Sequence, residues 1–352
     1  MIMRKVFMGL LFFTVFLFGL FYWASGRFQS TGTFEQEIAQ FQSEYFNGSS
    51  ELLSSIKVMT WNISYAYGIG SEGKNYQSKS RDHYINHLEK IAETIREQNA
   101  DVVLIQEIDF AGKRSYDIDQ LKFLAEKTGL VYGARAKSWR AGYVPFPYWP
   151  PSEHFGKLDS GGAVLSRFPI KQNLVSLYPR LKEQPWWYRY FYPLRYHQMV
   201  DVLINNQSYW LANLHFEAFN QVARFREAKK LANQMDSFNR GNLLAVGGDF
   251  NTTPSEAKKR NEFGDHTDDS YVGDDTLGLF RSVHKFSEAI QIDDYVANEA
   301  RYFTFPSTVP NRRLDYIFVN KSNRFFDGRV VDAGDVSDHL PFMVKIELNS
   351  NR

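Results

Sequence analysis

The chain contains no cysteine in its 352 residues and carries almost no net charge. The lack of cysteine excludes disulfides, thiol chemistry and a lipidated N-terminal cysteine of the bacterial lipoprotein kind. Lysine and arginine number 41 against 40 aspartates and glutamates, which gives a formal net charge of +1. Proteins that rely on duplex DNA usually present a basic face, so this balance provides no broad basic field, although basic residues could still cluster locally.

One uninterrupted apolar run, residues 6–24, follows Arg4 and Lys5 at the N-terminus. Its length is about what a helix needs to cross a bilayer, and the preceding basic residues keep the N-terminus cytoplasmic. The run is longer than the core of a signal peptide, and the bulky Tyr22 and Trp23 flank its only cluster of small residues. An uncleaved signal anchor is therefore favoured over a cleaved signal peptide.

Five short polar clusters each adjoin an apolar run that is typical of a β-strand. They are Trp61-Asn62, Gln106-Glu107, Gly248-Asp249-Phe250-Asn251, Leu314-Asp315-Tyr316 and Ser337-Asp338-His339. Carboxylates, amides and a histidine at strand ends are costly to desolvate unless they converge on a partner, and a divalent cation with a phosphate is the natural candidate. The clusters therefore predict a metal-dependent phosphoesterase.

Individual positions within the clusters suggest particular chemistry. Glu107 follows a continuous β-branched strand and is the first choice for a metal ligand. Asp249 and Asn251 lie two residues apart and share one face of an extended segment, so one can activate water while the other holds a phosphate oxygen or the metal. His339 is suited to proton work near neutral pH, and Asp315 is the plausible partner that orients its ring.

Taken in order, the motifs WN, QE, a strand-borne H, GDFN, LDYIFV and SDHLP resemble the endonuclease/exonuclease/phosphatase superfamily. That superfamily includes deoxyribonuclease I-like nucleases, abasic-site endonucleases, inositol polyphosphate 5-phosphatases and neutral sphingomyelinases. The resemblance covers roughly residues 56–348. It implies an α/β fold, a four-layer sandwich of two mixed β-sheets flanked by helices, with one Mg²⁺-assisted active site at the sheet edges; Mn²⁺ is the alternative metal.

The resemblance also implies roles for single residues. Asn62 and Glu107 look like metal-side residues, and Asp338 resembles a further contact to metal or water. Asp249 resembles the water-activating carboxylate, and Asn251 resembles its phosphate-orienting neighbour. The implied chemistry is in-line attack of water on phosphorus.

Three further positions extend this resemblance. His339, braced by Asp315, would hold the phosphate or transfer a proton. His215 ends a predicted strand, as in the deoxyribonuclease I-like and neutral sphingomyelinase-like branches, where it is a proton donor to the leaving group or a phosphate contact. Arg167 lies in a turn similar to the family's and is a weak candidate for substrate binding, beside the alternative of a solvated charge at a strand end.

Outer helices are predicted where apolar residues recur at helical spacing, over 85–95 and over 225–238, the second capped by Asn220. The tether after the anchor is predicted to be partly helical around residues 34–46. The acidic stretch 264–275 is predicted to be a solvated loop rather than a weak Ca²⁺ site.

Two aromatic and proline-rich inserts, residues 139–155 and 185–196, are predicted to form loops at the rim of the active site. Three interpretations stay open: contact with a membrane interface, stacking on unpaired bases, or a structural cap in which the inserts pack together. His154 and His197 fall within or beside the inserts and are expected to be hydrogen-bonded structural residues.

The sequence thus predicts an anchor or signal peptide at 1–27, a tether at 28–55 and a catalytic domain at 56–349. The domain would face the periplasm or exterior, or be secreted if the leader is cleaved. The function most favoured is hydrolysis of a phospholipid-type or other small phosphodiester, with an extracytoplasmic nuclease as the alternative and a catalytically silent binding module as a third. The partners are the phosphodiester substrate and, through the N-terminal helix, the membrane; no obligate protein partner is inferred.

Overall fold

The computed structural model describes residues 2–48, 52–70 and 76–348. Residues 49–51 of the predicted tether, and residue 349 at the predicted end of the catalytic domain, lie outside the described residues.

Two seven-stranded mixed β-sheets form the centre of the fold. The first sheet runs in the order β1 (Gly32–Glu35), β7 (Ile170–Leu177), β8 (Tyr196–Ile204), β9 (Gln207–His215), β10 (Asn242–Asp249), β12 (Asp315–Asn320) and β11 (Phe286–Glu288). The second runs in the order β13 (Phe325–Val330), β14 (Phe342–Glu347), β3 (Ser55–Asn62), β4 (Val102–Asp109), β6 (Gly156–Ser166), β5 (Tyr132–Val144) and β2 (Ile38–Gln40). Neighbouring strands are antiparallel except for β9 with β10 and β3 with β4.

The strand register brings the predicted polar clusters to one edge of the two sheets. The parallel pair β3 and β4 sets Asn62 beside Gln106, and the parallel pair β9 and β10 sets His215 beside Asp249. The antiparallel pairing of β10 with β12 places Asp315 opposite Asp249. Because the carboxyl ends of parallel neighbours meet at the same edge, clusters far apart in sequence become neighbours.

The facing sides of the sheets hold an apolar core, within which one polar network links the two layers. The core includes Val58, Leu104, Val164, Val200, Leu211 and Ile317, all fully buried. Gln106 on β4 donates through Nε2 to Asn213 Oδ1 on β9 at 2.6 Å, and Asn213 donates back to the backbone oxygen of Ile105 at 2.9 Å. A satisfied buried network of this kind fixes the relative position of the two sheets close to the clusters.

Helices cover both outer faces, which confirms the predicted four-layer sandwich. The helices are α1 (Ile2–Ala24), α2 (Arg81–Glu97), α3 (Gln120–Thr128), α4 (Trp186–Arg189), α5 (Gln221–Asp236), α6 (Thr276–Ser282) and α7 (Ile292–Ala297). Residues of α2 and α3 pack on the second sheet, and residues of α5 and α6 pack on the first. The helices expected at 85–95 and 225–238 are therefore present as α2 and α5, and the side chain of Asn220 caps α5 by accepting from the Ala223 N–H at 2.9 Å.

Helix α1 is long and apolar enough to cross a membrane. Its 22-residue segment Met3–Ala24 has a mean hydropathy of 2.1, and its side chains are largely exposed. At about 1.5 Å per residue this segment spans roughly 33 Å, close to the thickness of a bilayer's hydrocarbon core. Just after the helix, the Gly26 N–H donates to the Tyr190 backbone oxygen at 2.7 Å, so the span ends directly against the folded domain.

The segment predicted to be a partly helical tether is not helical, so this prediction was wrong. It contributes β1, which pairs with β7 at the edge of the first sheet, and β2, which pairs with β5 at the edge of the second. Both edges offer unpaired backbone groups, and pairing with them satisfies the backbone of this segment. The segment therefore straps the two sheets rather than separating domain from membrane.

The aromatic inserts are only partly loops. Residues 139–144 continue β5, with register shifts against β6 before Trp139 and before Val144, and α4 forms one short turn within 185–196. Hydrogen bonds to β6 stabilise this aromatic stretch as a strand, which the proline content of the following residues concealed. His154 bonds Tyr143 at 2.7 Å and His197 bonds Tyr178 at 2.6 Å, so both histidines are held structurally, as expected.

Candidate active site

A cleft of about 530 Å³ opens where β3, β4, β9 and β10 end. All but two of the predicted site residues line it: Asn62, Glu107, His215, Asp249, Asn251, Asp338 and His339. Asp315 lies directly behind His339 and is completely buried. The structure thus gathers eight of the nine candidates in one place.

Arg167 is the candidate that the structure places elsewhere. It follows β6 and pairs with Asp101 at 3.3 Å, at the start of β4, whereas Glu107 lies near the other end of that strand. A strand of this length separates its ends by roughly 20 Å, so Arg167 cannot reach the cleft. Arg167 is therefore not a substrate contact, and its side chain instead pairs with Asp101.

The amide of Asn62 joins two carboxylates at the floor of the cleft. Its Nδ2 donates to Glu107 Oε1 at 3.1 Å and to Asp249 Oδ2 at 3.2 Å. Its oxygen, expected to face a metal, instead accepts the Ser64 N–H at 3.0 Å. In this arrangement Asn62 positions the acids, and the carboxylate oxygens are the groups directed into the cleft.

The backbone at Glu107 adopts an unusual conformation. Its φ is +53°, in the left-handed region, and the pairing of β4 with β6 shifts register between Ile105 and Ile108. A non-glycine residue there costs about 1–3 kcal/mol, and such strain concentrates at functional positions. The bulge turns the Glu107 side chain toward the cleft. It does so while the neighbouring Gln106 side chain stays between the sheets, where it bonds Asn213.

Asp315, His339 and Asp249 form a line of hydrogen-bonding groups. His339 Nδ1 lies 2.9 Å from Asp315 Oδ2, and its Nε2 lies 3.8 Å from Asp249 Oδ2. Burial alone would lower the pKa of His339, but the charges of Asp315, Asp249 and Asp338 together raise it to about 10. The ring is therefore an imidazolium at neutral pH, with Nε2 directed at the cleft.

Asp249 is a buried acid whose proton affinity suits a base. Burial raises its pKa to about 6, against the lowering effect of the His339 charge. Its Oδ1 accepts the Asn251 N–H at 2.9 Å, which leaves Oδ2 facing Asn62 and the two histidines. A carboxylate with this pKa is ionised near neutral pH yet binds a proton more readily than an exposed aspartate.

The loop that carries Asp338 and His339 is fixed to the end of β3. The Trp61 indole N–H donates to the His339 backbone oxygen at 3.0 Å, and the Ser337 hydroxyl donates to the Asn62 backbone oxygen at 2.7 Å. Burial raises the pKa of the Asp338 carboxyl, which borders the cleft. The WN and SDH motifs are therefore parts of one rigid unit.

Arg195 is a site residue that the sequence did not reveal. Its Nη1 lies 2.8 Å from His215 Nε2, and its Nη2 donates to the Tyr192 hydroxyl at 2.9 Å. Arg195 belongs to the aromatic insert before β8 and matches no motif. What places it in the site is the pairing of the next residue, Tyr196, with His215 on the neighbouring strand. Among the described residues that line the cleft, Arg195 is the only arginine or lysine.

His215 is neutral in this arrangement. Burial, and then the neighbouring charges of Arg195 and His339, lower its pKa well below the usual value. Since Arg195 donates to Nε2, that nitrogen is an acceptor and carries no proton. The predicted role of His215 as a proton donor is therefore not supported by this geometry, whereas a role in holding Arg195 is.

Asn251 stabilises the turn after β10. Its φ is +52°, its backbone N–H donates to Asp249, and its Nδ2 donates to the Phe216 backbone oxygen at 3.0 Å. The amide nitrogen expected to orient a phosphate thus has a backbone partner. Asparagine tolerates this left-handed conformation better than most residues. The backbone conformation therefore explains an asparagine at position 251 independently of its predicted role in orienting a phosphate.

The acidic stretch 264–275 borders the cleft and is not simply solvated. Asp265 and Asp269 pair with the buried Arg312 at 2.8 and 3.1 Å, and Asp274 pairs with the buried Arg224 at 2.8 Å. The ion pairs offset much of its charge and fix its path. Asp265, Asp269 and His266 form one wall of the cleft.

The donor atoms in the cleft fit a hard divalent cation. Glu107 and Asp249 share one amide donor, and two carboxylates this close favour an added positive charge. Asp315 Oδ1 is buried without a hydrogen-bond partner in the part of the chain that the structure describes. Asp249, Asp315 and His339 also offer ligand atoms within 4.8 Å of one another, but the hydrogen bond between His339 and Asp315 already uses two of these groups. Glu107 is therefore the better metal donor.

Two glutamates behind Arg195 predict how stability depends on pH. Glu217 pairs with Arg195 at 3.3 Å and donates its backbone N–H to Glu227 Oε2 at 2.9 Å. Burial, and then the charge of Glu217, raise the pKa of Glu227 from 4.5 to about 8. Folding therefore takes up a proton between these values, so the free energy of unfolding falls as pH rises through this range.

Glu227→Gln is expected to remove this dependence. From pH 5 to pH 9 the unfolding free energy of the natural protein should fall on the order of 2–4 kcal/mol further than that of the variant. The reason is that glutamine cannot ionise and still accepts the Glu217 N–H. Urea unfolding at both pH values measures it. The exposed Glu93→Gln is the matched control and should show no such difference; equal pH slopes for Glu227→Gln and the natural protein would contradict the prediction.

Comparison with known proteins places this geometry in a family. The sequence profile of the "Endonuclease/Exonuclease/phosphatase family" matches residues 59–339, which contain every residue assigned above to the cleft. No curated protein matches the chain at a significant level. The family match therefore rests on the sequence profile.

Several solved structures share the fold at low sequence identity. An endonuclease/exonuclease/phosphatase from Beutenbergia cavernae is 19% identical with a TM-score of 0.53, covering 84% of this chain and 72% of its own. A mannosyl-6-phosphatase from Bacteroides thetaiotaomicron is 16% identical with a TM-score of 0.52, covering 84% and 100%. D. rerio TDP2, complexed with a single-strand DNA product, is 12% identical with a TM-score of 0.54, covering 84% and 100%.

Proposed function

Because the chain belongs to the endonuclease/exonuclease/phosphatase family, whose members hydrolyse phosphoester bonds with a divalent metal, we propose that it is a membrane-anchored phosphodiesterase. Its substrate is a phospholipid-type or other small phosphodiester. The observation that carries the proposal is the meeting of Glu107, Asp249 and the charged His339 in one cleft beside Arg195.

The side chains divide the reaction between them. Asp249 accepts a proton from the attacking water, and Asn62 holds that carboxylate in place. His339, oriented by Asp315, presents a charged Nε2–H to a phosphate oxygen, and Arg195 contacts the phosphate from the side of His215. Water oxygen forms a new bond to phosphorus as the bond to the leaving oxygen breaks. The leaving oxygen takes up a proton from solvent, and Asp249 later returns its proton to solvent.

Glu107 would hold the metal, with Asp338 as a further contact, and the Asn62 amide would fix the Glu107 carboxylate in place. Oxygen donors of this kind suit Mg²⁺, with Mn²⁺ as a substitute. A divalent cation bound there neutralises charge on the phosphate oxygens. The strained backbone at Glu107 supports this assignment, because it turns an oxygen donor into the cleft.

Glu107→Gln is expected to raise the Mg²⁺ concentration needed for half-maximal activity by about tenfold or more, because a neutral amide replaces a charged ligand. A metal titration of the hydrolysis rate measures it. Glu89→Gln, which changes a surface partner of Lys127, is the control and should leave the titration unaltered. An unchanged titration for Glu107→Gln would remove this residue from the metal site.

The charges around the cleft favour a small substrate over a long polyanion. Arg195 is the only arginine or lysine among its described lining residues, while Asp265 and Asp269 form one wall. Nucleic-acid channels track the backbone with rows of basic residues, and the described lining of this cleft contains no such row. A compact phosphodiester needs only one such contact beside the metal.

The location proposed follows from α1. Arg4 and Lys5 precede the span and favour a cytoplasmic N-terminus, which puts the domain on the periplasmic or exterior side. The contacts of Phe21 in α1 with Trp186 and Phe191 support an anchor that stays attached, since cleavage after the helix would remove them. If the leader is cleaved instead, the enzyme is secreted.

A nuclease acting outside the cytoplasm remains the second candidate, favoured by the exposed aromatic rings near the cleft, which could stack on bases.

The full-length protein in amphipol with Mg²⁺ would be assayed on phospholipid vesicles, plasmid DNA, RNA, a chromogenic phosphodiester and the matching monoester. Turnover of lipid and of the diester is expected. Degradation of DNA or RNA at low enzyme concentration without lipid turnover would overturn the substrate assignment, and exclusive monoester turnover would overturn the diester assignment.

A further inference from the structure

An apolar groove lies beside the catalytic cleft, between the two aromatic inserts. Its cavity is about 220 Å³, and its walls include Trp139, Val144, Phe146, Phe155, Trp187 and Phe191. No arginine, lysine, aspartate or glutamate is among the described residues that line it. A concave surface made almost wholly of rings and aliphatic groups offers a favourable environment to hydrocarbon and little to a charged group.

The groove is continuous with the cleft. Phe219 borders both cavities, and its side chain is 71% exposed. Tyr192 lines the groove and its hydroxyl accepts a hydrogen bond from Arg195, which lines the cleft. A molecule whose phosphate lies beside Asp249 and Arg195 would therefore pass Phe219 to place an attached chain in the groove.

The groove also adjoins the end of the membrane helix. The ring of Phe21 in α1 packs edge-on against Phe191, which lines the groove, with 5.7 Å between the ring centroids. Its centroid lies 5.2 Å from that of the Trp186 ring. Trp186 and Trp187 are each at least half exposed next to this contact. Exposed tryptophans at the end of a span are typical of the membrane–water interface, so the groove opens at the level of the lipid head groups.

We propose that the groove binds one hydrocarbon chain of a phosphodiester lipid, which enters from the bilayer that holds α1 while its phosphate reaches Asp249. This inference rests on the proposed function and specifies its substrate as an amphiphile with an apolar chain attached to the scissile phosphate. Two contacts carry it: Phe219 connects the groove to the catalytic residues, and Phe21 connects the groove to the membrane.

A series of p-nitrophenyl alkyl phosphates tests the groove in the full-length protein held in amphipol. Tails from methyl to octyl would be compared below their aggregation limits, with p-nitrophenol release as the readout. Each methylene that enters the groove should raise kcat/KM about threefold to fourfold, the equivalent of about 0.8 kcal/mol, until the groove is filled. The gain should lie mainly in KM, because the tail is remote from the reacting bond.

Two variants separate the groove from the catalytic residues. Trp187→Ala removes a half-exposed groove wall and should flatten the chain-length dependence; Val144→Phe fills the groove from inside and should abolish it for the longer tails. Trp149→Ala is the matched control, since this tryptophan is 81% exposed and does not line the groove; it should behave as the natural protein does.

The outcomes distinguish this inference from the proposed function. If the natural protein hydrolyses none of the esters, the octyl ester included, the phosphodiesterase assignment itself fails. If it hydrolyses all tails equally well, or if both groove variants keep the full chain-length dependence, the groove is not a chain site and the inference is overturned. A p-nitrophenyl ester of thymidine phosphate that exceeds the octyl ester, and depends on Trp187, would instead assign the groove to base stacking.

Discussion

Replacing Asp249 with alanine is expected to reduce kcat by at least about a hundredfold, because the variant loses the carboxylate placed to take a proton from water. Asp249 is almost fully buried, and burial raises its pKa to about 6, which suits a group that takes a proton near neutral pH. Its Oδ2 also lies 3.6 Å from His215 Nε2 and 3.8 Å from His339 Nε2. Steady-state hydrolysis of a chromogenic phosphodiester at saturating Mg²⁺ measures the loss.

The control must separate lost chemistry from lost structure, since Asp249 also accepts the Asn251 N–H and the Asn62 amide. Asp249→Asn keeps the shape and one acceptor oxygen, and should lose activity to a similar extent while unfolding in urea near the natural midpoint. Arg167→Ala should retain full activity, because its side chain lies at the opposite end of β4. Activity surviving in both Asp249 variants would remove this residue from the mechanism.

His339→Ala is expected to lower kcat by at least about a hundredfold, and Asp315→Asn by about tenfold. The first change removes the charged group beside Asp249, whereas the second leaves the ring but removes the carboxylate that contributes most to raising its pKa. In Asp315→Asn the pKa of His339 therefore falls, and the alkaline limb of the rate profile should move to lower pH. The pH dependence of kcat measures this shift.

The double variant tests whether the two residues act as one unit. Asp315 contacts His339 directly at 2.9 Å and lies behind it, away from the cleft lining. If Asp315 acts only through the ring, Asp315→Asn combined with His339→Ala should be no slower than His339→Ala alone. Additive losses would show that Asp315 has a separate function, such as holding the metal through its second oxygen.

The sequence predicted the layers of the fold well because their signals are local. Continuous apolar runs predicted β4 and β10, and helical spacing predicted α2 and α5. It failed at residues 34–46 because those strands exist only through pairing with the sheet edges. It also treated residues 139–144 as a loop, since aromatic composition does not show that β6 is available as a partner.

The candidate site shows the same division. Glu107, Asp249, Asp315 and His339 were found because each lies in a polar motif beside a predicted strand, and the structure gathers them. Arg195 was missed because its signal is its place across the sheet from His215, which no local pattern encodes. The neutral state of His215 was also missed, because it depends on burial and on the charge of Arg195.

By itself, the sequence excluded disulfides and thiol chemistry through its lack of cysteine, and a broad basic field through its net charge of only +1. The polar clusters at strand ends predicted a metal-dependent phosphoesterase site. These conclusions needed only composition and short-range pattern. The tertiary structure alone decided that Arg195 joins the cleft, that Arg167 does not, and that the aromatic inserts meet α1 around one groove. The physical reason is that charge state and cavity shape arise from residues distant in sequence, which only packing brings together.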